Sequence, residues 1–389
     1  MFSLSHRHLL TSLPHVHYTY TDFWEWHYWS GFAKDDAGKD YALFIGSDPV
    51  GYDPKTGKHA FMPNVISISP LDEGKKYSYF GNLAEFEARL PPQSSSAQDF
   101  EYEMKDSATG WSAIERYYAA EERWTYKMDN GNKDDVMLDV EMVLAAPGYV
   151  SRTPTGIEDE GFNYRGSYNP QTMAGLSYYY IAPKMPFKGK ARYNGNEVNL
   201  RGNLWFEHQW GNIKLGNGEQ ENCRWRWFSF RFNNGTDLAF RHWIIPPDNQ
   251  PMHHRNHYCR MHPDGKVEYG YPSTEMRFTP VKAWKIDGID QQWDMEGLMT
   301  TPWGNFYIKP LVLDSVYVSK TGMTFWEGPL SIYEGDSNGE QIGLAYCEQY
   351  FQPAGGPVKM RTREEFPLGR EEPLSGVTPN AKPKKLDEL

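Results

Sequence analysis

The stretch that decides the fold is Val136-Met137-Leu138-Asp139-Val140-Glu141-Met142-Val143-Leu144, which alternates with a period of two. Every second side chain from Val136 to Leu144 is apolar, whereas Asp139 and Glu141 lie on the opposite face. This pattern is typical of a strand with one buried side and one side in solvent. The preceding turn signal, Asp129-Asn130-Gly131-Asn132, predicts that the strand belongs to a hairpin.

Strand and turn signals of the same kind continue on both sides of this stretch. The chain has 14 Trp, 26 Tyr and 20 Phe beside 35 Gly and 27 Pro, a composition that favours short strands joined by tight turns. We find no internal repeat of 20–50 residues, which argues against a propeller or a solenoid. The predicted fold class is therefore all-β, as antiparallel barrels or sandwiches, with one short helix over residues 82–90.

Charge and composition exclude several classes of function. The formal net charge of −11 argues against binding to nucleic acid or to an anionic lipid surface. No apolar run approaches the roughly 20 residues of a membrane-spanning helix, and the N-terminal residues do not resemble a signal peptide. Three widely spaced cysteines, Cys223, Cys259 and Cys347, form no disulfide framework, so we expect a cytoplasmic protein. No glycine-rich nucleotide motif is present.

Three clusters combine aromatic residues with acids, and they are the candidates for chemistry. They occupy residues 23–31, 204–211 and 325–329, the last followed closely by 343–350. Most of these aromatic residues must belong to ordinary core, and a Glu beside a Trp usually bonds an indole or a backbone N–H. The pair Glu207-His208 is different, because it interrupts an otherwise apolar strand. A buried carboxyl of this kind has the properties of a general acid.

The clusters, taken in order, resemble motifs of the carotenoid 1,2-hydratase (hydroxyneurosporene synthase) family and its AttH-like relatives. The family's early Glu-Trp-x-Tyr-x-x-Gly strand is matched by residues 25–31. Its Gly-x-x-Trp-x-Asp-(Arg/His)-Glu-Trp-Gly signature is similar to residues 202–211, with Glu207 in place of Asp and Gln209 in place of Glu. A Trp-x-Trp-Phe strand, a Tyr-rich strand and a late Trp-Glu-Gly-Pro match residues 225–228, 177–180 and 326–329. Fungal lipocalin-like Diels–Alderases share the character of the first cluster.

The resemblance implies two consecutive lipocalin-like β-barrel domains with a hydrophobic pocket near their junction. We place them at residues 1–200 and 201–355, followed by an extended tail at 356–389. The family acts on isoprenoids, polyenes or polyketides without a metal or redox cofactor, so we expect no cofactor, no metal and a hydrophobic small-molecule partner. In this interpretation the protein hydrates, dehydrates or isomerises its substrate, with Glu207 donating a proton to an alkene and His208 positioning water or relaying protons. The expected substrate-binding residues are Glu25, Trp26, Tyr28, Tyr179, Trp205, Trp210, Trp227, Trp326 and Glu327.

Two other functions remain open. On the same scaffold a pericyclase or cyclase would only fold its substrate into a reactive shape, through proximity and orientation. A non-catalytic carrier would bind a hydrophobic ligand without turnover. A metal site is a further alternative, because His253, His254, His257, Cys259 and His262 crowd one hairpin at 253–262. That cluster surrounds a turn, which favours solvation over metal binding.

Overall fold

The structure is a computed structural model of all 389 residues. It describes residues 24–47, 50–53, 58–61, 63–83, 85–89, 99–154, 156–159, 176–211, 224–245, 250–251, 257–270, 276–288, 292–318, 324–351 and 369–373. Residues 253–256 of the histidine-rich hairpin and most of the tail lie outside the described residues.

The described residues form strands almost throughout, which confirms the all-β prediction. The one helical element among them is the 3₁₀ turn Ala119–Glu121, and no described helix is long and apolar enough to cross a membrane. The strands are β1 Trp24–Asp35, β2 Asp40–Ser47, β3 Val50–Asp53, β4 Lys58–Phe61, β5 Pro63–Pro70, β6 Tyr77–Asn82, β7 Glu85–Arg89, β8 Phe100–Asp106, β9 Trp111–Tyr118, β10 Arg123–Asp129, β11 Met137–Val143, β12 Val150–Ser151, β13 Ile157–Asp159, β14 Leu176–Tyr193, β15 Asn196–Gly211, β16 Arg224–Phe232, β17 Asp237–Ile245, β18 Gln250–Pro251, β19 His257–Met261, β20 Val267–Gly270, β21 Arg277–Lys285, β22 Gln292–Thr301, β23 Gly304–Pro310, β24 Val316–Val318, β25 Thr324–Glu334, β26 Gln341–Phe351 and β27 Arg370–Pro373.

The chain divides into two compact units, each built on one curled antiparallel sheet, as in the lipocalin-like two-domain fold. Unit 1 comprises residues 1–72 and 77–214, and unit 2 comprises residues 73–76 and 215–389. From the sequence we predicted the boundary between the two domains at residues 200/201. In the structure β15 runs on to Gly211 within the sheet of unit 1, and β27, in the expected tail, pairs with β21 of unit 2.

The sheet of unit 1 has the order β6-β5-β2-β1-β15-β14-β11-β10-β9-β8-β7, with β3, β4, β12 and β13 off this path. Its concave face holds a core of aromatic and aliphatic side chains, including the fully buried Trp29, Trp124 and Phe206. The sheet of unit 2 has the order β20-β19-β17-β16-β26-β25-β23-β22-β21-β27, and it encloses a separate core that includes Phe228, Trp293 and Trp326.

The helix expected over residues 82–90 is wrong. Residues 85–89 form β7, which pairs with β8 from Glu85↔Lys105 to Arg89↔Glu101. The segment Glu-Phe-Glu-Ala-Arg also alternates with a period of two, and a run this short fits either periodicity. Its pairing with β8 decides the conformation, because the backbone groups of an extended segment are satisfied by a neighbouring strand.

The long strands β1 and β15 approach each other closely at two glycines. A Cβ atom on Gly202 would collide with the carbonyl oxygen of Phe32, and one on Gly31 would collide with that of Asn203. Only glycine avoids these collisions, since it carries no side chain. The glycines of the first motif and of the mid-chain signature therefore allow the close antiparallel pairing of β1 with β15.

Candidate active site

The predicted site residues of unit 1 are carried by three neighbouring strands, β1, β15 and β14. The register places Tyr28 opposite Glu207 and Glu207 opposite Ile181, and it places Trp26 and Tyr179 on either side of Gln209. Directly opposed residues point to the same side of a sheet. These side chains therefore share the face of the sheet that is turned away from the core of unit 1, which we call the outer face.

Glu207 lies at the centre of the outer face and is 5% exposed. Its Oε1 accepts a hydrogen bond from the indole Nε1 of Trp205 at 3.0 Å. Its Oε2 accepts a short hydrogen bond from the hydroxyl of Tyr179. Both donors fix the orientation of the carboxyl, and the Tyr179 hydroxyl provides a route for proton exchange.

Aromatic and polar side chains surround this carboxyl on the same face. The ring centroids of Trp26 and Tyr28 lie 6.3 Å apart, and Tyr28 contacts Phe44 edge-to-face at 5.4 Å. The guanidinium of the fully buried Arg152 lies 4.9 Å from the centroid of the Tyr179 ring. Around Glu207 the outer face therefore holds aromatic rings, together with a cation beside the tyrosine that bonds this carboxyl.

A second set of polar residues occupies the other face of the same strands, inside unit 1. We call Glu25, His27, Glu115, Tyr180 and His208 the interior cluster; each is at most 3% exposed. His27 Nδ1 lies 2.6 Å from Glu115 Oε1, and His208 Nε2 lies 2.6 Å from Glu25 Oε1. His208 Nδ1 bonds the Tyr180 hydroxyl at 2.9 Å, and His27 Nε2 lies 3.8 Å from Glu25 Oε1.

Aromatic rings enclose the interior cluster. His27 lies 5.3 Å from Trp124 and 4.4 Å from His208, measured between ring centroids. His208 stacks on Trp210 at 4.4 Å. Burial raises the pKa of Tyr180 well above its usual value, so its hydroxyl stays protonated. Oxygen and nitrogen atoms of Glu25, His27 and His208 all lie within 4.8 Å of one another, a spacing that suits a metal ion.

The structure separates Glu207 from His208, the two residues that the sequence analysis combined as proton donor and water-positioning group. They are neighbours on β15 and so point to opposite sides of the sheet. Glu207 bonds partners on the outer face, whereas His208 bonds Tyr180 and Glu25 inside the core. They therefore cannot act on one substrate from one side of the sheet.

The other predicted residues fall into three places. Trp26, Tyr28, Tyr179 and Trp205 share the outer face with Glu207, while Glu25 and Trp210 lie inside unit 1 with His208. Trp227, Trp326 and Glu327 belong to unit 2.

In unit 2 a row of residues crosses three strands from Trp227 to Glu348 and on to Glu327. Glu348 Oε1 accepts a short hydrogen bond from the indole of Trp225. Burial raises the pKa of Glu348 to about 7, although Trp225 and the nearby Arg241 favour the charged form. Trp326 is separate from this row: it lies in the core, and its indole donates to the carbonyl of Leu313 at 2.8 Å.

Unit 2 also has a small pocket, whose lining includes Phe232, Thr301 and Phe306. Its lining includes Arg260, whose guanidinium lies 4.4 Å from the ring centroid of Trp303. None of the predicted site residues lines this pocket.

Three members of the interior cluster, His27, Glu115 and Tyr180, were not predicted as site residues from the sequence. His27 lay within the first cluster but received no role of its own. Glu115 alternates with Trp111, Ala113 and Tyr117, so an acid on the apolar face of a period-two strand was the available signal. In the histidine-rich hairpin, by contrast, His262 Nε2 lies 3.1 Å from Glu268 Oε2, and Cys259 is buried.

Comparison with known proteins gives one family and several related structures. A protein-family model described as AttH-like matches residues 89–349, which confirms the resemblance seen in the motifs. No curated protein matches the chain.

Three solved structures share the fold. An AttH protein from Nitrosomonas europaea has a TM-score of 0.68 at 17% identity, over 87% of this chain and 95% of its own. Kievitone hydratase from Nectria haematococca has a TM-score of 0.60 at 12% identity, over 88% and 95% of the two chains. CghA has a TM-score of 0.54 at 9% identity, over 86% and 90%. At these identities the likeness is one of fold.

Proposed function

The chain belongs to the AttH-like family, and from this premise we propose that it is an enzyme that hydrates or dehydrates a hydrophobic, unsaturated small molecule of isoprenoid or polyene type, with Glu207 as the acid. The observation that carries the proposal is the placement of Glu207. A single, nearly buried carboxyl is held by two hydrogen bonds at the centre of an aromatic sheet face. One of the structural neighbours is itself named a hydratase.

The reaction needs only groups that the outer face supplies. The carboxylic acid of Glu207 donates its proton to one alkene carbon, and the alkene electron pair forms the new C–H bond. The adjacent carbon becomes a cation, to which a water oxygen adds. That water then loses a proton to the carboxylate, which restores the acid, so the balance is alkene plus water giving alcohol. Dehydration runs through the same steps in reverse.

The surrounding residues have distinct roles in this mechanism. The faces of Trp26, Tyr28 and Trp205 stabilise the cation, because aromatic quadrupoles attract positive charge. Tyr179 holds the carboxyl of Glu207 in place, so we treat it as a positioning residue. His208 is also a positioning residue, since from the opposite side of β15 it anchors that strand to β1 and β14.

The test is the variant Glu207→Gln, which preserves the size of the side chain but carries no acidic proton. We expect turnover to fall by roughly 10²–10⁴-fold, the usual contribution of a positioned proton donor. The matched control is Glu197→Gln, the same change at an exposed position of the same strand, which should leave turnover unchanged. Lycopene and farnesol serve as long and short isoprenoid probes, and the assay runs in deuterated water.

The isotope result separates this proposal from its alternatives. A hydratase places solvent-derived deuterium on carbon, and Glu207→Gln abolishes that incorporation. A pericyclase leaves carbon unlabelled and retains its rate in the variant, because shape alone accelerates its reaction. Binding without turnover in both forms would identify a carrier. Either of the last two results would contradict acid catalysis by Glu207.

A further inference from the structure

We propose that Glu25, His27 and His208 form a binding site for a transition-metal ion of the zinc class, with Glu115 and Tyr180 orienting the two imidazoles. The site lies in the interior cluster, on the opposite side of the sheet from Glu207. It goes beyond the proposed function, because neither its ligands nor its test involve the substrate. It departs from our expectation from sequence, which was that the protein needs no metal.

The three donor atoms are close to the spacing that zinc requires. Zn²⁺ binds nitrogen and oxygen at about 2.0–2.1 Å in tetrahedral geometry, which separates the ligand atoms by about 3.3 Å. Here Glu25 Oε1 is 2.6 Å from His208 Nε2 and 3.8 Å from His27 Nε2. To bind zinc, Glu25 Oε1 must move away from His208 Nε2 and towards His27 Nε2, each by less than about 1 Å. Rotations about side-chain torsions alone can produce such shifts.

The partners of the imidazoles are those of metal-binding histidines. A ligating histidine usually donates its second ring N–H to a carboxylate or another polar group, which fixes the tautomer and aims the free nitrogen at the ion. His27 Nδ1 meets the carboxylate of Glu115 at 2.6 Å, and His208 Nδ1 meets the Tyr180 hydroxyl at 2.9 Å. Both Nε2 atoms therefore face the carboxylate of Glu25.

An independent observation points to a missing ligand. His27 is 1% exposed, yet its Nε2 makes no hydrogen bond in the structure. A buried polar atom left without a partner costs about 1–3 kcal/mol, so such atoms are rare. This nitrogen is aimed at the point that Glu25 and His208 also approach, and a metal ion there would satisfy it.

Charge leads to the same conclusion. Glu25 and Glu115 lie within a core of aromatic rings, where an unbalanced carboxylate is strongly disfavoured. A divalent cation with two neutral imidazoles balances both carboxylates. The donor set of two nitrogens and one oxygen suits Zn²⁺, Co²⁺ or Fe²⁺ better than Mg²⁺ or Ca²⁺, which prefer oxygen ligands only.

The ion would link strands that are distant in sequence. Glu25 and His27 lie on β1, and His208 lies on β15; the residues that meet are up to 183 positions apart. Their orienting partners come from β9 and β14. Metal binding to such a site adds to the stability of the folded state, because the unfolded chain offers no comparable site.

The experiment uses the full chain. Protein purified without a histidine tag is analysed for metals by mass spectrometry, stripped with dipicolinate, and titrated with Co²⁺. We expect one Co²⁺ per chain, visible absorption bands from a nitrogen- and oxygen-ligated ion, and a higher Tm when Zn²⁺ is restored. Absence of both stoichiometric binding and a Tm shift in the native chain would overturn the proposal, whatever the variants do.

Matched variants locate the site. His27→Gln and His208→Gln should lose the Co²⁺ spectrum, whereas His242→Gln, a buried histidine of unit 2, should retain it. Glu115→Gln should keep one ion per chain but weaken its binding about 10–100-fold, as expected for an orienting partner. If His253→Gln with His254→Gln abolishes binding and His27→Gln does not, the metal belongs to the hairpin and the proposal is wrong. Should the core variants not fold, the stoichiometry and the Tm shift of the native chain decide.

Discussion

The interiors of the two units hold different kinds of charge in similar curled sheets. In unit 1 two glutamates meet two histidines, as His27 with Glu115 and His208 with Glu25. In unit 2 the guanidinium of Arg226 forms a short ion pair with Asp294, and both side chains are less than 10% exposed. The main chain of Asp294 is further held by Gln349, whose side chain bonds both its N–H and its carbonyl.

The ion pair in unit 2 is suited to a structural role, whereas the histidine pairs in unit 1 are also suited to chemistry. A guanidinium keeps its charge at every physiological pH, so the pair in unit 2 is fixed. An imidazole exists as a neutral ligand or as a cation, and it exchanges protons and metals near neutral pH. These buried pairs therefore differ in chemistry although both lie in curled sheets, and the fold alone does not reveal the difference.

The largest effect that tests this comparison comes from removing one negative charge in each unit. Asp294→Asn leaves Arg226 as a buried cation without its carboxylate, and we expect the free energy of unfolding to fall by about 3–5 kcal/mol. Glu115→Gln replaces the carboxylate that meets His27 Nδ1 by an amide oxygen that can still accept a hydrogen bond, so about 1 kcal/mol should be lost. Urea unfolding monitored by tryptophan fluorescence measures both. Equal losses would show that the two interiors are alike.

A smaller loss of stability is expected at the glycines where β1 pairs closely with β15. Gly202→Ala forces a methyl group against the backbone at Phe32, and we expect a loss of about 1–3 kcal/mol. The matched change in unit 2 is Gly343→Ala, where a Cβ would collide with the carbonyl oxygen of Arg231. If the chemistry belongs to unit 1, only Gly202→Ala should also weaken Co²⁺ binding. A weakening by Gly343→Ala to the same degree would contradict that separation.

The last expected effect concerns pH and unit 2. Burial raises the pKa of Glu348 to about 7, above the value of about 4.5 in the unfolded chain, so the folded state binds the extra proton between these values. This contribution to stability is present below pH 4.5 and is lost as the pH rises through 7. Glu348→Gln should therefore flatten the decline in unfolding free energy between pH 5 and 8. An unchanged slope would show that Glu348 is ionised in the folded state.

The sequence predicted the strands well where periodicity and turns agreed. β11 follows from its period of two, and its pairing with β10 follows from the turn signal between them. Residues 85–89 were misassigned because five residues cannot distinguish a strand from a helix. Which face of β1 is interior was not decidable, since Trp26 and Trp29 are both apolar and lie on opposite faces.

The site was predicted only in part, for a reason of geometry. Glu207 and its aromatic neighbours share one sheet face, as a motif confined to adjacent strands allows. His208 was assigned to the same task because it is adjacent in sequence, yet alternation places it on the other face. Glu115 lies on β9, and the curl of the sheet brings it next to His27. A single sequence does not show this contact.

The pairing of β1 with β15 has a consequence for synthesis on the ribosome. Glu25 leaves the ribosome 183 residues before His208, a delay of about 10–40 s at 5–20 residues per second. Until β15 arrives, β1 can pair only with β2 and β3, so one edge of a long aromatic strand stays open to other chains. Translation speed and chaperone access during that interval therefore bear on the yield of folded protein.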